Sequence, residues 1–231
     1  MSRRIVCFSL IIAFNCLSCI KSSKAEIITF YPVQVVGAGT TPTGQPPWIT
    51  ATFDDHDVQG SVTLTLACVN LSDDKYVNDW LFNLDPSLNP SKLKFTSQVK
   101  TGSFTTPTIW SGANSFAFDG ENYDIYFRLS SSEGHSKRFD VNDSLQLTIS
   151  GIAALTAKSF NFNSQGKHTG GMPPTATEAY IKGIGLCRHD GNWIATPEPS
   201  SLLLAACGLL GMAFYSRRRK KTKNDLHNSV A

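Results

Sequence analysis

Charge is scarce in this chain: charged side chains make up 17% of its 231 residues, where an ordinary soluble domain has about a quarter. Together with 41% hydrophobic residues, that scarcity excludes a disordered chain held open by its own charge. Low-complexity runs are absent too, and the 17 Gly and 11 Pro are dispersed. A collagen-like or mucin-like stalk is therefore excluded. No stretch of the interior sustains a 3.6-residue apolar period, which argues against a helical body. Catalytic signatures are also missing. There is no His-Glu-x-x-His, no Gly-x-Ser-x-Gly and no P-loop. His56, His135, His168 and His189 are scattered over expected loops. No catalytic residue and no metal-ligand set is assigned, and the expectation is a protein that is not an enzyme. Paired carboxylates of a glycosidase stay as an alternative, because two strands can bring two acids to the required separation.

The formal net charge of +3 hides an uneven distribution. Residues 1–25 carry four basic side chains and no acidic one, net +4. Residues 197–231 carry six basic against two acidic, again net +4. Residues 26–196 hold 11 Lys and Arg against 16 Asp and Glu, net −5. The basic stripe that nucleic acid requires is thus absent from the body, and no nucleic-acid partner is expected.

Each basic end flanks an apolar run. Arg3 and Arg4 precede IVCFSLIIAFNCLSCI (5–20), and Ser23 and Ala25 follow. This order reads as a secretory signal peptide cleaved between Ala25 and Glu26; an uncleaved anchor is the alternative. At the other end, Pro197-Glu198-Pro199 precedes LLLAACGLLGMAFY (202–215), and Arg217, Arg218 and Arg219 come next. As a helix, residues 200–215 would be about 24 Å long, slightly short of a hydrocarbon core of about 30 Å. The basic cluster should remain cytoplasmic, which leaves the body outside.

This order of tripeptide, short apolar helix and arginine cluster resembles the PEP-CTERM sorting signal of exported proteins in Gram-negative bacteria. The resemblance implies recognition by exosortase, a membrane protease-transpeptidase, at a signal made of Pro197, Glu198, Pro199 and Arg217 to Arg219. It implies passage through the inner membrane, held there transiently by the C-terminal helix, and then a cell-surface or extracellular destination. Organisms with such proteins make exopolysaccharide. The chain is accordingly divided into a signal peptide (1–25), a body (26–195), a sorting and anchor segment (196–219) and a basic cytoplasmic tail (220–231).

Within the body, apolar and polar residues alternate. Val62, Leu64, Leu66 and Cys68 oppose Thr63 and Thr65; Tyr123, Ile125, Phe127 and Leu129 oppose Asp124, Tyr126 and Arg128; Leu145, Leu147 and Ile149 oppose Gln146 and Thr148. Phe160 and Phe162 continue the pattern over a shorter span. Period two in Val, Ile, Thr, Tyr and Phe predicts half-buried strands. Weaker strands are expected at 27–36, 48–53, 77–84, 93–99, 114–118 and 180–186. Turn clusters, among them Asp119-Gly120-Glu121-Asn122, separate them. The expected fold is all-β, an antiparallel β-sandwich of jelly-roll type. The phrases at 60–95 and 178–194 also resemble a set of PEP-CTERM proteins of unknown function, and that resemblance implies no activity.

Of six cysteines, Cys7, Cys16 and Cys19 fall in the signal peptide and Cys207 in the C-terminal helix. Cys68 and Cys187 remain. In an oxidising compartment they suggest one disulfide, worth up to about 4–5 kcal/mol in the chain-entropy picture. Two separately buried thiols are the alternative. Asp54, Asp55, His56 and Asp57 read as an acidic solvated turn, with a structural calcium as the alternative; an EF-hand would need Glu where Leu66 stands. No other cofactor is expected. Trp48, Trp80, Trp110, Trp193, Tyr76 and Tyr123 are the aromatics suited to stacking on sugars. Among small polar neighbours, Trp110 is the one expected to be exposed. The function expected is a non-enzymatic structural or interaction role in exopolysaccharide or biofilm, with extracellular polysaccharide as partner. A carbohydrate-binding module is the alternative, and a matrix glycosidase stands behind it.

Overall fold

Strict alternation is carried into β4 (Ser61–Cys68), where Val62, Leu64, Leu66 and Cys68 are buried and the residues between them are half-buried. The computed structural model describes residues 25–36, 39–72, 74–129, 137–166, 173–184 and 190–196. These residues form an antiparallel two-sheet sandwich with no α-helix among them. The first sheet runs β1 (Ile27–Phe30), β3 (Ile49–Asp54), β4, β9 (Ser144–Ser150), β6 (Lys94–Thr101). The second runs β10 (Gln165–Gly166), β8 (Glu121–Arg128), β5 (Tyr76–Phe82), β11 (Thr177–Lys182), β12 (Gly191–Ala195), β2 (Gln34–Val35). β7 (Thr108–Phe118) also pairs with β8. The expected signal peptide and C-terminal helix lie outside the described residues.

The core lies between the sheets. Phe53, Leu64 and Leu147 stand in register across β3, β4 and β9, and Val77, Trp80, Phe82, Ile125 and Phe127 oppose them from the second sheet. Phe53 meets Phe82 edge-on at 5.3 Å, and Phe82 meets Phe127 at 5.8 Å in the same way. Such edge-to-face pairs place the positive ring edge on the negative ring face. The Trp80 indole N–H is satisfied by Thr177 Oγ1 at 2.9 Å, so its burial leaves no stranded donor.

Two expectations change. Phe160 is in a 3-10 turn, Ala157–Phe160, rather than a strand. Thr156 and Ser159 close a capping box there, and the Phe160 ring stacks on Phe53 at 4.2 Å. A two-residue alternation is too short to distinguish a strand from one turn that points a single ring inward. The expected extended stretch 27–36 divides into β1 on the first sheet and β2 on the second. β12 and the first half of β7 are strands the alternation does not reveal.

β5 is buried at all seven positions. One face packs into the core. On the other, the Arg138 guanidinium lies over the Tyr76 ring at 4.4 Å. Leu81, in register with Tyr126 and Glu178, is fully buried there apart from the main core. The outer side of the second sheet therefore carries structure of its own.

Candidate binding face

That structure begins with the β7–β8 hairpin. Asp119 (φ 45°) and Gly120 (φ 86°) form its turn, the two consecutive positive φ values of a type I′ hairpin. Register slips between Ser111 and Phe116, and Asn114 takes φ 48° within the bulge. Asp124 pins the bend: Oδ1 accepts the Asn114 N–H at 2.8 Å and Oδ2 the Leu84 N–H at 2.9 Å. The hairpin is thereby tied to the segment after β5.

Bending the hairpin gathers six aromatic rings that lie in separate parts of the sequence. Trp110 and Tyr126 are cross-strand partners and stack at 5.1 Å with planes 22° apart. Phe116 and Phe118 lean on Tyr126 at 5.7 and 5.6 Å. Phe118 reaches Trp193 on β12 at 4.9 Å, and Trp193 meets its register partner Tyr180 at 5.2 Å. Five of the six are half-buried, while Trp110 is 41% exposed. The Tyr126 hydroxyl donates to Asp79 Oδ1 at 2.6 Å, and Arg128 Nε stands 3.9 Å from the same oxygen. Burial and the Asp79 carboxylate push the Tyr126 phenol up to about 12, so the ring remains a neutral donor at neutral pH.

Further along β8, Tyr123 is completely buried and donates to Glu121 Oε2 at 3.0 Å. Its oxygen also lies 3.1 Å from Thr175 Oγ1, which donates to Glu178 Oε1 at 3.3 Å. Ser164 Oγ donates to Glu121 as well. Burial and the two carboxylates drive the Tyr123 phenol far above its ordinary value. Glu121 and Glu178 are both fully buried, so this carboxylate pair binds the hairpin to the sheet and does not face an open cleft. A separate shallow cleft of about 440 Å³ lies between the segment after β5 and the 3-10 turn, lined by Asp85, Ser87, Leu88, Thr156, Lys158 and Phe162 among others.

The remaining aromatics singled out in the sequence are inside. Trp48 is buried and donates Nε1 to Gly44 O at 3.2 Å; Trp80, Tyr76 and Tyr123 are buried also. The acidic turn uses its carboxylates on backbone. Asp55 accepts from Glu26 N at 2.9 Å and from Asp57 N and Ala157 N at 3.3 Å. Asp54 accepts from His56 N at 2.8 Å. Burial opposes the Asp55 charge, and these N–H donors outweigh it, so its carboxyl is held below the ordinary range. Among the described residues no three His, Cys, Asp or Glu are grouped to hold a metal ion. Cys68 is buried, with its thiol 3.6 Å from Phe139 O; burial and the nearby Asp143 and Asp140 push its pKa well up. Cys187, His135, His168, His189, Pro197, Glu198, Pro199 and Arg217 to Arg219 lie outside the described residues. The sequence pointed to Trp110 through its small neighbours, but had no signal for Tyr126 and Asp79 as its supports.

The chain is an antiparallel β-sandwich with a sorting motif behind it. Residues 195–220 match the PEP-CTERM protein-sorting motif, which marks an exported protein sorted at the membrane by exosortase. No curated protein matches the chain. Among solved structures it is similar to one from work on pH-induced modulation of Streptococcus parasanguinis adhesion by Fap1 fimbriae. Identity is 9%, over 77% of this chain and 98% of that one, with a TM-score of 0.34. A score this low carries no weight for function.

Proposed function

We propose that this is a surface or extracellular-matrix protein whose sandwich is a non-enzymatic interaction module for extracellular polysaccharide. The sorting motif at 195–220 is the observation that supports this reading: a body delivered by this route would work outside the cell, where it would meet extracellular polysaccharide. The partner is supported by the outer face of the second sheet, where Trp110 is held exposed on Tyr126. Buried aromatics contribute to the fold, whereas an exposed, braced indole is suited to an external surface. The same observation favours a carbohydrate-binding module over a purely structural role.

Intact mass and location of the mature protein in its own host test this reading, with and without Glu198→Ala. The expected species starts at Glu26, ends near the tripeptide and is found on or outside the cell. Glu198→Ala should retain the C-terminal helix and hold the protein in the membrane. A wild-type protein that keeps its full C-terminus and stays in the membrane overturns the placement.

A further inference from the structure

We infer that Trp110 and Arg128 form a subsite for one residue of an uncharged polysaccharide, the indole stacking on the apolar face of a pyranose and the guanidinium donating to its hydroxyls. The inference rests on the proposed polysaccharide role and specifies its chemistry. One indole face is stacked on Tyr126 and the residue is still 41% exposed, which leaves the side away from Tyr126 to meet a ligand. The support is rigid, because the Tyr126 hydroxyl is bonded to buried Asp79 at 2.6 Å. A plate fixed before binding loses little conformational freedom when a ligand arrives. Arg128 follows Tyr126 by two residues on the same strand face, roughly 7 Å along β8. Its side chain is 53% exposed and close to Asp79. Arg128 supplies donors for sugar hydroxyls, while buried Asp79, with Oδ1 taken by Tyr126 and Oδ2 by Asn78 Nδ2, holds the plate and the guanidinium in place.

Charge selects among polysaccharides. The Arg128 cation is already opposed by Asp79. Asp79 and Asp190 both act on Tyr180 nearby, and residues 26–196 carry net −5. A uronate or sulfated chain would have to displace Asp79 from Arg128 and approach an acidic body. The other rings are turned against one another, with planes 39° to 56° apart. They do not offer the broad flat apolar area of a protein interface.

The test is affinity electrophoresis of the full-length protein in detergent, in gels containing a neutral panel (hydroxyethylcellulose, laminarin, galactomannan) or an anionic one (alginate, pectate). Retardation by at least one neutral polymer is expected, little changed between low and high salt. Trp110→Ala should weaken it by about tenfold or more, and Tyr126→Phe, which keeps the ring and loses the hydroxyl, should weaken it less. Unchanged binding by Trp110→Ala, or binding confined to alginate and pectate, overturns the subsite and leaves the polysaccharide role standing. Binding to neither panel overturns both.

A separate observation carries a second inference. The Glu26 backbone nitrogen lies 2.9 Å from Asp55 Oδ1, and Glu26 is the first residue after the expected signal cleavage. We propose that cleavage at Ala25–Glu26 turns this amide hydrogen bond into an ion pair between the new α-ammonium and Asp55, so that maturation tightens the fold. Asp55 is buried and also holds Ala157 N, and Lys158 pairs with the Glu26 side chain at 2.6 Å. Mature protein isolated from the host should begin at Glu26 and melt several degrees above the same protein N-terminally acetylated. Asp55→Asn should erase that difference. Equal melting of the free and acetylated forms, or a mature protein beginning elsewhere, overturns the proposal.

Discussion

Asp55 shows how neighbours in sequence can leave a residue's burial undecided. In sequence it belongs to an acidic turn expected to be solvated, with calcium as the alternative; in the structure Asp55 is buried. In the fold it accepts three backbone N–H groups from three segments. Its folded pKa is below the unfolded one, so its stabilising effect is complete above the unfolded value, near 3.8. The effect is lost as pH falls through the lowered folded value. We expect thermal stability to decline below about pH 4, with Asp55→Asn less stable at neutral pH and showing a shallower acid decline. Melting curves between pH 2 and 7 measure this; parallel curves for the two proteins would refute it. Trp110 is the opposite case. Its exposure is legible from Thr105-Thr106-Pro107-Thr108 before it and Ser111-Gly112 after it, small polar neighbours among which only Ile109 is a large apolar residue, and Ile109 points to the other side of the strand, against the core.

At the scale of elements, the β7–β8 hairpin decides the character of the outer face. Its turn residues are ordinary hairpin chemistry, but the bulge and Asp124 determine where its rings go. Gly120 has φ 86°, so Gly120→Val should cost about 1–3 kcal/mol in urea unfolding. Near-UV circular dichroism should change in the same variant, because Phe118 would lose its fixed place against Trp193. An unaltered aromatic spectrum would mean that the turn does not hold the cluster. β6 illustrates a different element problem. It is the end strand of the first sheet among the described residues, with a register shift between Thr96 and Val99 and Lys94 and Lys100 exposed along it. Bulges and lysines are the usual protection of a sheet edge against pairing with another chain.

For the whole molecule, we expect folding and address to be separable. Phe53 touches Phe30, Phe82 and Phe160, so it joins both sheets and the 3-10 turn. Phe53→Ala should cost about 3–5 kcal/mol, read by denaturant unfolding. Replacing Arg217, Arg218 and Arg219 by Ala should leave that unfolding midpoint unchanged while altering the mature protein's location. A fall in midpoint would mean that the basic cluster takes part in the fold. Carrying address information in a short segment is compatible with this, because the motif spans residues 195–220 and begins where the core of the described residues ends, at Ala195.

The sequence by itself determined what depends on near neighbours. β4, β8 and β9 were legible because i and i+2 point to the same side of a strand; the Asp119-Gly120 turn because few residues accept two positive φ values; and the sorting signal because its tripeptide, apolar run and arginines are contiguous. Tertiary structure decided what depends on packing between distant segments. β5 shows no alternation because both its faces are covered. Phe160 turns inward on a 3-10 turn because Phe53 offers a ring to stack on. Trp48, Trp80 and Trp110 have the same side chain, and only the placement of the sheets buries the first two and exposes the third. The candidate site follows the same division: its indole could be found in the sequence, while Tyr126, Asp79 and Arg128 become its supports only through the register of β7, β8 and β5.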